Sequence, residues 1–297
     1  MNNGSFSNAL PWRLRHYFSS RLGVLPNFII AGFPKCGTTS LFEYLSAHPD
    51  IYAPLRKEIW YFSGRRYDED PHHLQWYKGH FPSILRKAYV EGVRREKFLT
   101  GEASPDYLTY HPEALTRMKS LVPNASLVIL MRDPVDRTYS YFQHERRSGR
   151  EKRRFSEVLD AEIDALSQAR GRVLYTNELY KDRHQRDSYL ITSLYVNYLE
   201  RLFSIWSGEK ILVVKSEDMF SQPVKTFHDI LEFLGLGYVD CGEGLVHNKG
   251  RYDAPRNPEL VRLSEYVAPF NERLYQLIGR DMGWGVPEAT RAHGMSE

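Results

Sequence analysis

The strongest constraint on this chain is a change of text at residue 28. Phe28-Ile29-Ile30-Ala31-Gly32 is a short, unbroken apolar run of the kind that becomes a strand buried on both faces. It is followed at once by Phe33-Pro34-Lys35-Cys36-Gly37-Thr38-Thr39-Ser40, then by Leu41, Phe42, Tyr44 and Leu45 at helical spacing. The unit reads strand, tight loop, helix. It cannot stand alone, because a strand buried on both faces needs parallel neighbours and helices above and below. Two later segments supply neighbours. Ser126-Leu127-Val128-Ile129-Leu130-Met131 is apolar and β-prone, and Arg132-Asp133-Pro134 follows. Asp133 suits a helix N-cap and Pro134 the first helical position, where its missing N–H costs nothing. Ile211-Leu212-Val213-Val214-Lys215 predicts a third strand, ahead of a helix over 224–234. The fold class predicted is α/β, a central parallel sheet flanked by helices.

Composition narrows the function classes. A chain of 297 residues allows one large α/β domain or two small ones, and the absence of a Pro/Gly/Ser-rich linker favours one. With 42% hydrophobic and 26% charged residues, long disorder is excluded. A net charge of +3 gives no bulk argument for nucleic acid, and none is expected as a partner. The basic run over 146–154 reads as a solvated helix end rather than as a dedicated site. Cys36 and Cys241 are too few for a disulfide framework, so a reducing compartment is the simplest expectation. No apolar run approaches a membrane span, and no signal peptide is read at the N-terminus, so the expected location is cytoplasmic. Residues 12–25 mix Arg13, Arg15, His16 and Arg21 with Trp12, Leu14, Tyr17, Phe18 and Leu22. That mixture suits an amphipathic helix, either packed on the domain or in peripheral contact with a membrane.

The loop carries the chemistry. A glycine-bounded turn from a buried strand into a helix presents backbone N–H groups, and the positive end of the helix dipole, to an anion. Gly32 and Gly37 are separated by four residues, as in a nucleoside-triphosphate loop, but Thr38-Thr39 stand where that motif has Lys followed by Ser or Thr. The lysine, Lys35, lies inside the loop instead. Kinases and ATPases use their lysine on the β/γ-phosphates and the hydroxyl on Mg²⁺. A cofactor with one 5′-phosphate and a transferable group beyond it calls for a different arrangement.

Pro34-Lys35-Cys36-Gly37-Thr38-Thr39-Ser40-Leu41 resembles the 5′-phosphosulfate loop of the sulfotransferases, whose fold is P-loop-NTPase-like. The resemblance implies 3′-phosphoadenosine 5′-phosphosulfate (PAPS) as donor and 3′-phosphoadenosine 5′-phosphate (PAP) as product. It gives Lys35 the phosphosulfate bridge, and Cys36, Gly37, Thr38, Thr39 and Ser40 the 5′-phosphate. The likeness continues in Arg132-Asp133-Pro134-Val135-Asp136-Arg137-Thr138-Tyr139-Ser140, similar to the family's 3′-phosphate motif. Arg132 at a strand end and Ser140 about two turns into a helix can converge on one dianion. Asp133 and Arg137, four apart, have the spacing of a simple helical ion pair. A third stretch, Lys249-Gly250-Arg251-Tyr252, resembles the segment that closes over the cofactor in the heparan sulfate enzymes.

Sulfuryl transfer needs a base for the acceptor proton, positive charge at the leaving oxygen and in-line positioning. Lys57-Glu58-Ile59-Trp60-Tyr61-Phe62 is similar to the segment of the carbohydrate sulfotransferases in which a glutamate acts as base, and the resemblance gives Glu58 that role. The other reading of Glu58 is a surface residue paired with Lys57 or Arg56. His48 is a rival base, although Ser46-Ala47-His48-Pro49 places it at the end of the first helix, as a cap or packing residue. His111, His144 and His247 are weaker rivals. Glu102, in Gly101-Glu102-Ala103-Ser104-Pro105-Asp106-Tyr107, resembles the Glu-Lys-x-Pro segment of the heparan enzymes, with Ala103 replacing the lysine. Trp60, Glu102, Tyr107 and Trp76 are the candidate acceptor contacts, the last within an aromatic stretch over 67–81 suited to stacking on sugars or lipid-like groups. No metal is expected.

The similarity runs over 28–284 and is nearest to the heparan and bacterial carbohydrate branch. The expected organisation is an N-terminal segment over 1–27, a sulfotransferase domain over 28–285 and a tail over 286–297. The acceptor expected is a carbohydrate, lipid-linked or small molecule. Cys241 lacks the partner that a disulfide loop would require, which argues against heparan itself. A nucleotide-dependent phosphotransferase, or a non-catalytic protein holding an anion or nucleotide, is the alternative.

Overall fold

The computed structural model describes residues 22–64, 67, 70, 72–176, 188–239 and 258–285. Four strands form one sheet: β1 (Phe28–Gly32), β2 (Gly101–Ala103), β3 (Ser126–Met131) and β4 (Ile211–Lys215). Their order is β2-β1-β3-β4, and every pairing is parallel. Register runs Phe28 to Ser126 and Ile30 to Val128, then shifts so that Gly32 faces Ile129. All five residues of β1 are buried, as are the last five of β3. Burying one Leu, Ile or Val side chain stabilises by about 1.5–3 kcal/mol, so these two runs anchor the core.

β2 is the strand that the sequence pattern does not announce, being three residues with a glutamate in the middle. It forms because β1 lies against it: a Cβ on Gly101 would meet the Phe28 ring at 2.5 Å, so only glycine lets the two strands close.

The helices cover both faces. In chain order they are α1 (Thr38–Ala47), α2 (His73–Lys78), α3 (Ile84–Tyr89), α4 (Ala114–Leu121), α5 (Pro134–Arg147), α6 (Phe155–Ala169), α7 (Tyr195–Ile205), α8 (Ser216–Ser221), α9 (Pro223–Phe233) and α10 (Pro258–Ile278). α5 starts as expected. The Asp133 side chain accepts from the N–H groups of Val135 (2.8 Å) and Asp136 (3.3 Å), and Pro134 occupies the first turn. α9 matches the helix expected over 224–234. A second apolar cluster, with Phe142, Phe155, Leu159, Tyr189 and Leu263, joins α5, α6 and α10 and fixes α5 from outside the sheet.

In this order the two strands that follow β1 in the chain lie on opposite sides of it, and the crevice that results lies beyond the carboxyl ends of β1 and β3. The loops at 33–37 and 132–133 stand at that crevice.

Candidate functional site

The loop after β1 is held from three sides. Phe33 donates its N–H to Leu130 O at 2.7 Å, Arg137 Nε donates to Pro34 O at 3.0 Å, and Ser216 Oγ donates to Cys36 O at 2.6 Å. Lys35 and Gly37 have left-handed backbones, with φ of 67° and 88°. At Gly37 the conformation requires glycine twice over, since an added Cβ would also lie 2.7 Å from Met219 Cε. Gly37 caps α1 with no side-chain hydrogen bond, and the first turn of α1 holds no acidic residue. No side chain competes for that end of the helix, and the helix dipole gives it positive potential. An anion fits this cradle.

The five loop residues assigned to a phosphate are not equivalent. Cys36 is buried, its thiol pushed up by burial, and its Sγ faces the Tyr195 hydroxyl at 3.8 Å. Its backbone is engaged as well, the N–H donating to Phe33 O at 3.3 Å and the carbonyl accepting from Ser216, so Cys36 shapes the loop. Thr38 and Ser40 are mostly buried, while Thr39 is exposed. The Lys35 ammonium is half-buried, and its pKa is lowered by burial first, then by Arg147, with Glu145 opposing and Arg137 and Arg132 adding. Four cationic side chains thus share one region around the cradle.

Arg132 stands at the end of β3, its carbonyl accepting from Tyr195 Oη at 2.8 Å and its guanidinium paired with Asp136 at 3.0 Å. Ser140 is buried two turns into α5. The pair suggested by spacing, Asp133 with Arg137, does not form: Asp133 caps the helix, and Arg137 turns inward to the loop. The helix start rotates Asp136, not Asp133, beside an arginine. Lys249, Gly250, Arg251 and Tyr252 lie outside the described residues, as do Cys241 and His247.

Glu58 lies beyond the end of β2, its N–H donating to Ala103 O at 3.0 Å and its carboxylate paired with Lys57 at 2.7 Å. Its side chain is 35% exposed, so an acceptor can reach it. Glu58 and Trp60 both adopt positive φ (59° and 53°), a conformation that costs about 1–3 kcal/mol per non-glycine residue and needs fixed surroundings. Those surroundings are visible. Trp60 N–H donates to Ser104 Oγ at 3.1 Å, and Tyr61 N–H donates to Tyr107 Oη at 3.0 Å. Both hydroxyls in turn donate to Glu102, at 2.8 Å from Ser104 and 3.0 Å from Tyr107, and Tyr77 Oη adds a third bond at 2.5 Å.

Glu102 and Tyr107 have no exposed surface. Expected as acceptor contacts, they are instead the buried support beneath the Glu58–Trp60 turn. Burial drives the Glu102 carboxyl up to about 7 against the three hydroxyl bonds, which lower it. Trp60 and Trp76 are half-buried and retain open surface, Trp76 packing edge-on against His80.

The histidines separate. His48 is buried; its Nδ1 accepts from Asp50 N–H at 3.1 Å, which leaves Nε2 to donate to Gly237 O at 3.0 Å. His111 accepts from Glu113 N–H in a local turn. His144, on α5, is exposed, and its pKa is lowered by burial and by the Lys35 charge. In the basic run, Arg150 pairs with Glu145, Arg153 with Glu151 and Arg154 with Glu157. Glu145 and Glu151 are buried, and Arg147 of the same run acts on the Lys35 ammonium, so the run is tied to the domain rather than simply solvated. Arg137, Ser216 and Tyr195 are the loop supports that sequence reasoning missed; no local spacing points to them.

A parallel sheet with a glycine-capped strand–loop–helix turn at its crevice defines a P-loop-like α/β protein. A family model for the sulfotransferase domain matches residues 25–265, and the chain belongs to that family. It is 27% identical to the membrane-associated sulfotransferase kil1 of Dictyostelium discoideum, over 89% of this chain and 67% of that protein. It is 26% identical to carbohydrate sulfotransferase 15 of Mus musculus over 87% of this chain, and spans about half, 54%, of that protein. The crystal structure of a sulfotransferase from Alicyclobacillus acidocaldarius superposes with a TM-score of 0.62 at 31% identity, covering 87% of this chain and 98% of that one.

Proposed function

We propose that the chain moves a sulfuryl group from PAPS to a hydroxyl or amine of a carbohydrate acceptor and releases PAP. The observation that carries this reading is the cradle itself: left-handed Gly37, the start of α1 without a side-chain cap and Lys35 within one loop. Loop N–H groups and the Thr39 hydroxyl hold the 5′-phosphate, and Lys35 lies at the oxygen that bridges phosphorus and sulfur. Arg132 and Ser140 take the 3′-phosphate, for which Arg132 exchanges its pairing with Asp136. The acceptor oxygen or nitrogen forms the new bond to sulfur as the bond to the bridging oxygen breaks. The electron pair leaves on the 5′-phosphate, where Lys35 and the loop N–H groups meet the added charge. Glu58, partly exposed beyond the end of β2, accepts the acceptor proton, for which it exchanges its pairing with Lys57. The charge is met by cations of the chain, Lys35 first.

The carbohydrate class is supported by the name of carbohydrate sulfotransferase 15, and the half-buried Trp60 and Trp76 are aromatic groups of the kind on which a sugar stacks. Calorimetry with PAP, and with ATP and Mg²⁺, followed by a screen of acceptors with labelled donor, tests the reading. Tight PAP binding and label in a carbohydrate are expected. Preference for ATP with Mg²⁺ overturns it in favour of a phosphotransferase.

A further inference from the structure

Arg137 has no exposed surface, and none of the chemistry above uses it. From the first turns of α5 its Nε donates to Pro34 O at 3.0 Å, inside the cradle. Its Nη1 donates to Tyr189 O (3.0 Å), Thr192 Oγ1 (2.9 Å) and Ser193 Oγ (2.7 Å). Every one of these acceptors is neutral. Nη2 is buried with no hydrogen-bond partner among the described residues. The Nε–H and the outer Nη2–H of a guanidinium lie on one edge of its planar fork, so the unpartnered group sits on the edge that meets the loop.

The turn that receives Nη1 is itself fixed. Glu162, buried on α6, accepts the N–H groups of Tyr189 (2.6 Å) and Ile191 (2.8 Å), so both of its oxygens are engaged by backbone. Burial raises its carboxyl to about 7 against the backbone bonds and the Arg137 charge, which lower it, so Glu162 is a partial counter-charge with no hydrogen bond to the guanidinium among the described residues. A guanidinium does not lose its proton, and an isolated buried charge is costly. Arg137 therefore holds a permanent positive charge behind the cradle and, among the described residues, is hydrogen-bonded to no carboxylate. Its charge also reaches the Lys35 ammonium, which it helps to destabilise.

We propose that Arg137 is a positioning residue of the anion cradle: it fixes the loop through the Pro34 carbonyl, and the anion bound in the cradle balances its charge. This rests on the reading above that the cradle holds the phosphates of PAPS and PAP. Arg137 touches no ligand, since its nitrogens are shielded by the loop. It acts by holding Lys35 and Gly37 in left-handed conformations and by adding a positive field to the N–H groups at the start of α1. The fork matters as much as the charge, because one planar group must span the loop at Pro34 and the turn at 189–193.

The test uses the full chain with PAP as probe. Affinity by calorimetry, unfolding temperature without ligand and amide exchange over 35–37 are measured for the wild type, Arg137→Lys and Arg137→Met. The lysine variant keeps the charge and loses the fork; PAP affinity falls ~10-fold, and ~100-fold in the methionine variant, the scale of losing hydrogen bonds to a charged group. Loop amides exchange faster in both. A purely structural role shifts the unfolding temperature and leaves the affinity of the folded protein unchanged, which overturns the proposal. Should the methionine variant not fold, Ser193→Ala removes one acceptor of the fork, and a ~3-fold loss of affinity with faster loop exchange is expected. Wild-type affinity and exchange in the lysine and Ser193→Ala variants overturn the proposal. If the wild type itself fails to bind PAP, the functional reading falls; if it binds and the variants match it, this inference alone falls.

Discussion

The backbone N–H of Tyr61 rests on the hydroxyl of Tyr107 at 3.0 Å, and that hydroxyl donates onward to the Glu102 carboxylate. The turn that carries Glu58 is thus hung from a buried acid through a hydroxyl relay. Tyr107→Phe leaves the Tyr61 N–H without a partner, and losing a buried bond of this kind costs about 1–3 kcal/mol. Urea unfolding is expected to show a loss of that size, and turnover is expected to fall more than donor affinity. Unchanged stability and turnover contradict the relay.

The same acid makes stability depend on pH. Its folded pKa of about 7 lies above the ordinary value of 4.5, so the folded state holds a proton that the unfolded state has released. Stability from this group is complete below about pH 4.5 and is lost as pH rises through 7. Glu162, also raised to about 7, acts in the same direction. In Glu102→Gln the contribution of one group disappears, on the order of 2–3 kcal/mol between pH 5 and 8. Unfolding temperatures across that range are expected to slope less steeply in the variant; parallel curves contradict the shift.

Glu58→Gln keeps the shape of the turn and removes the proton acceptor. Sulfuryl transfer is expected to drop ~10²–10⁴-fold, the range for loss of a general base, with PAP affinity unchanged. Activity of the variant close to wild type with the true acceptor removes Glu58 from the role.

Lys35 must be protonated to meet charge on the leaving oxygen. Its pKa is lowered, chiefly by burial, so transfer is expected to decline on the alkaline side at a pH below the ordinary lysine range. An arginine remains charged throughout. Lys35→Arg is therefore expected to lose rate through misfit but to shift its alkaline limb upward, read from kcat/KM against pH. An alkaline limb at the same pH in both proteins assigns it to another group.

Gly37→Ala is expected to weaken PAP binding by ~10-fold or more. A left-handed backbone costs an L-residue roughly 1–2 kcal/mol, and the new Cβ also displaces Met219. The methyl end of Met219 is flexible, so Met219→Ala in the same chain relieves the contact but not the backbone strain. Recovery of affinity in the double variant measures how much of the effect is steric.

The strand–loop–helix unit at 28–47, the capped start of α5 at Asp133 and Pro134, β4 and the end of α1 at His48 are all legible in the sequence. Each is a local event: an apolar run, a cap residue, a helical period. β2 was hidden because Glu102 interrupts the apolar text that marks a buried strand, and only its place beside β1 makes the strand.

The roles of side chains divided along the same line. The loop by itself carried the resemblance to the family, since glycines, a lysine and a helix start are chemistry written in consecutive residues. What the tertiary structure decided was which residues stand behind that chemistry. Arg137 had the spacing to pair with Asp133, yet it turned to Pro34, 103 positions away, and to Tyr189, 52 positions away. Glu102 and Tyr107 had the composition of a binding surface and became its buried support. The physical reason is common to all three. A buried polar group must find partners wherever the packed chain places them, and those partners lie at sequence separations that no local period encodes.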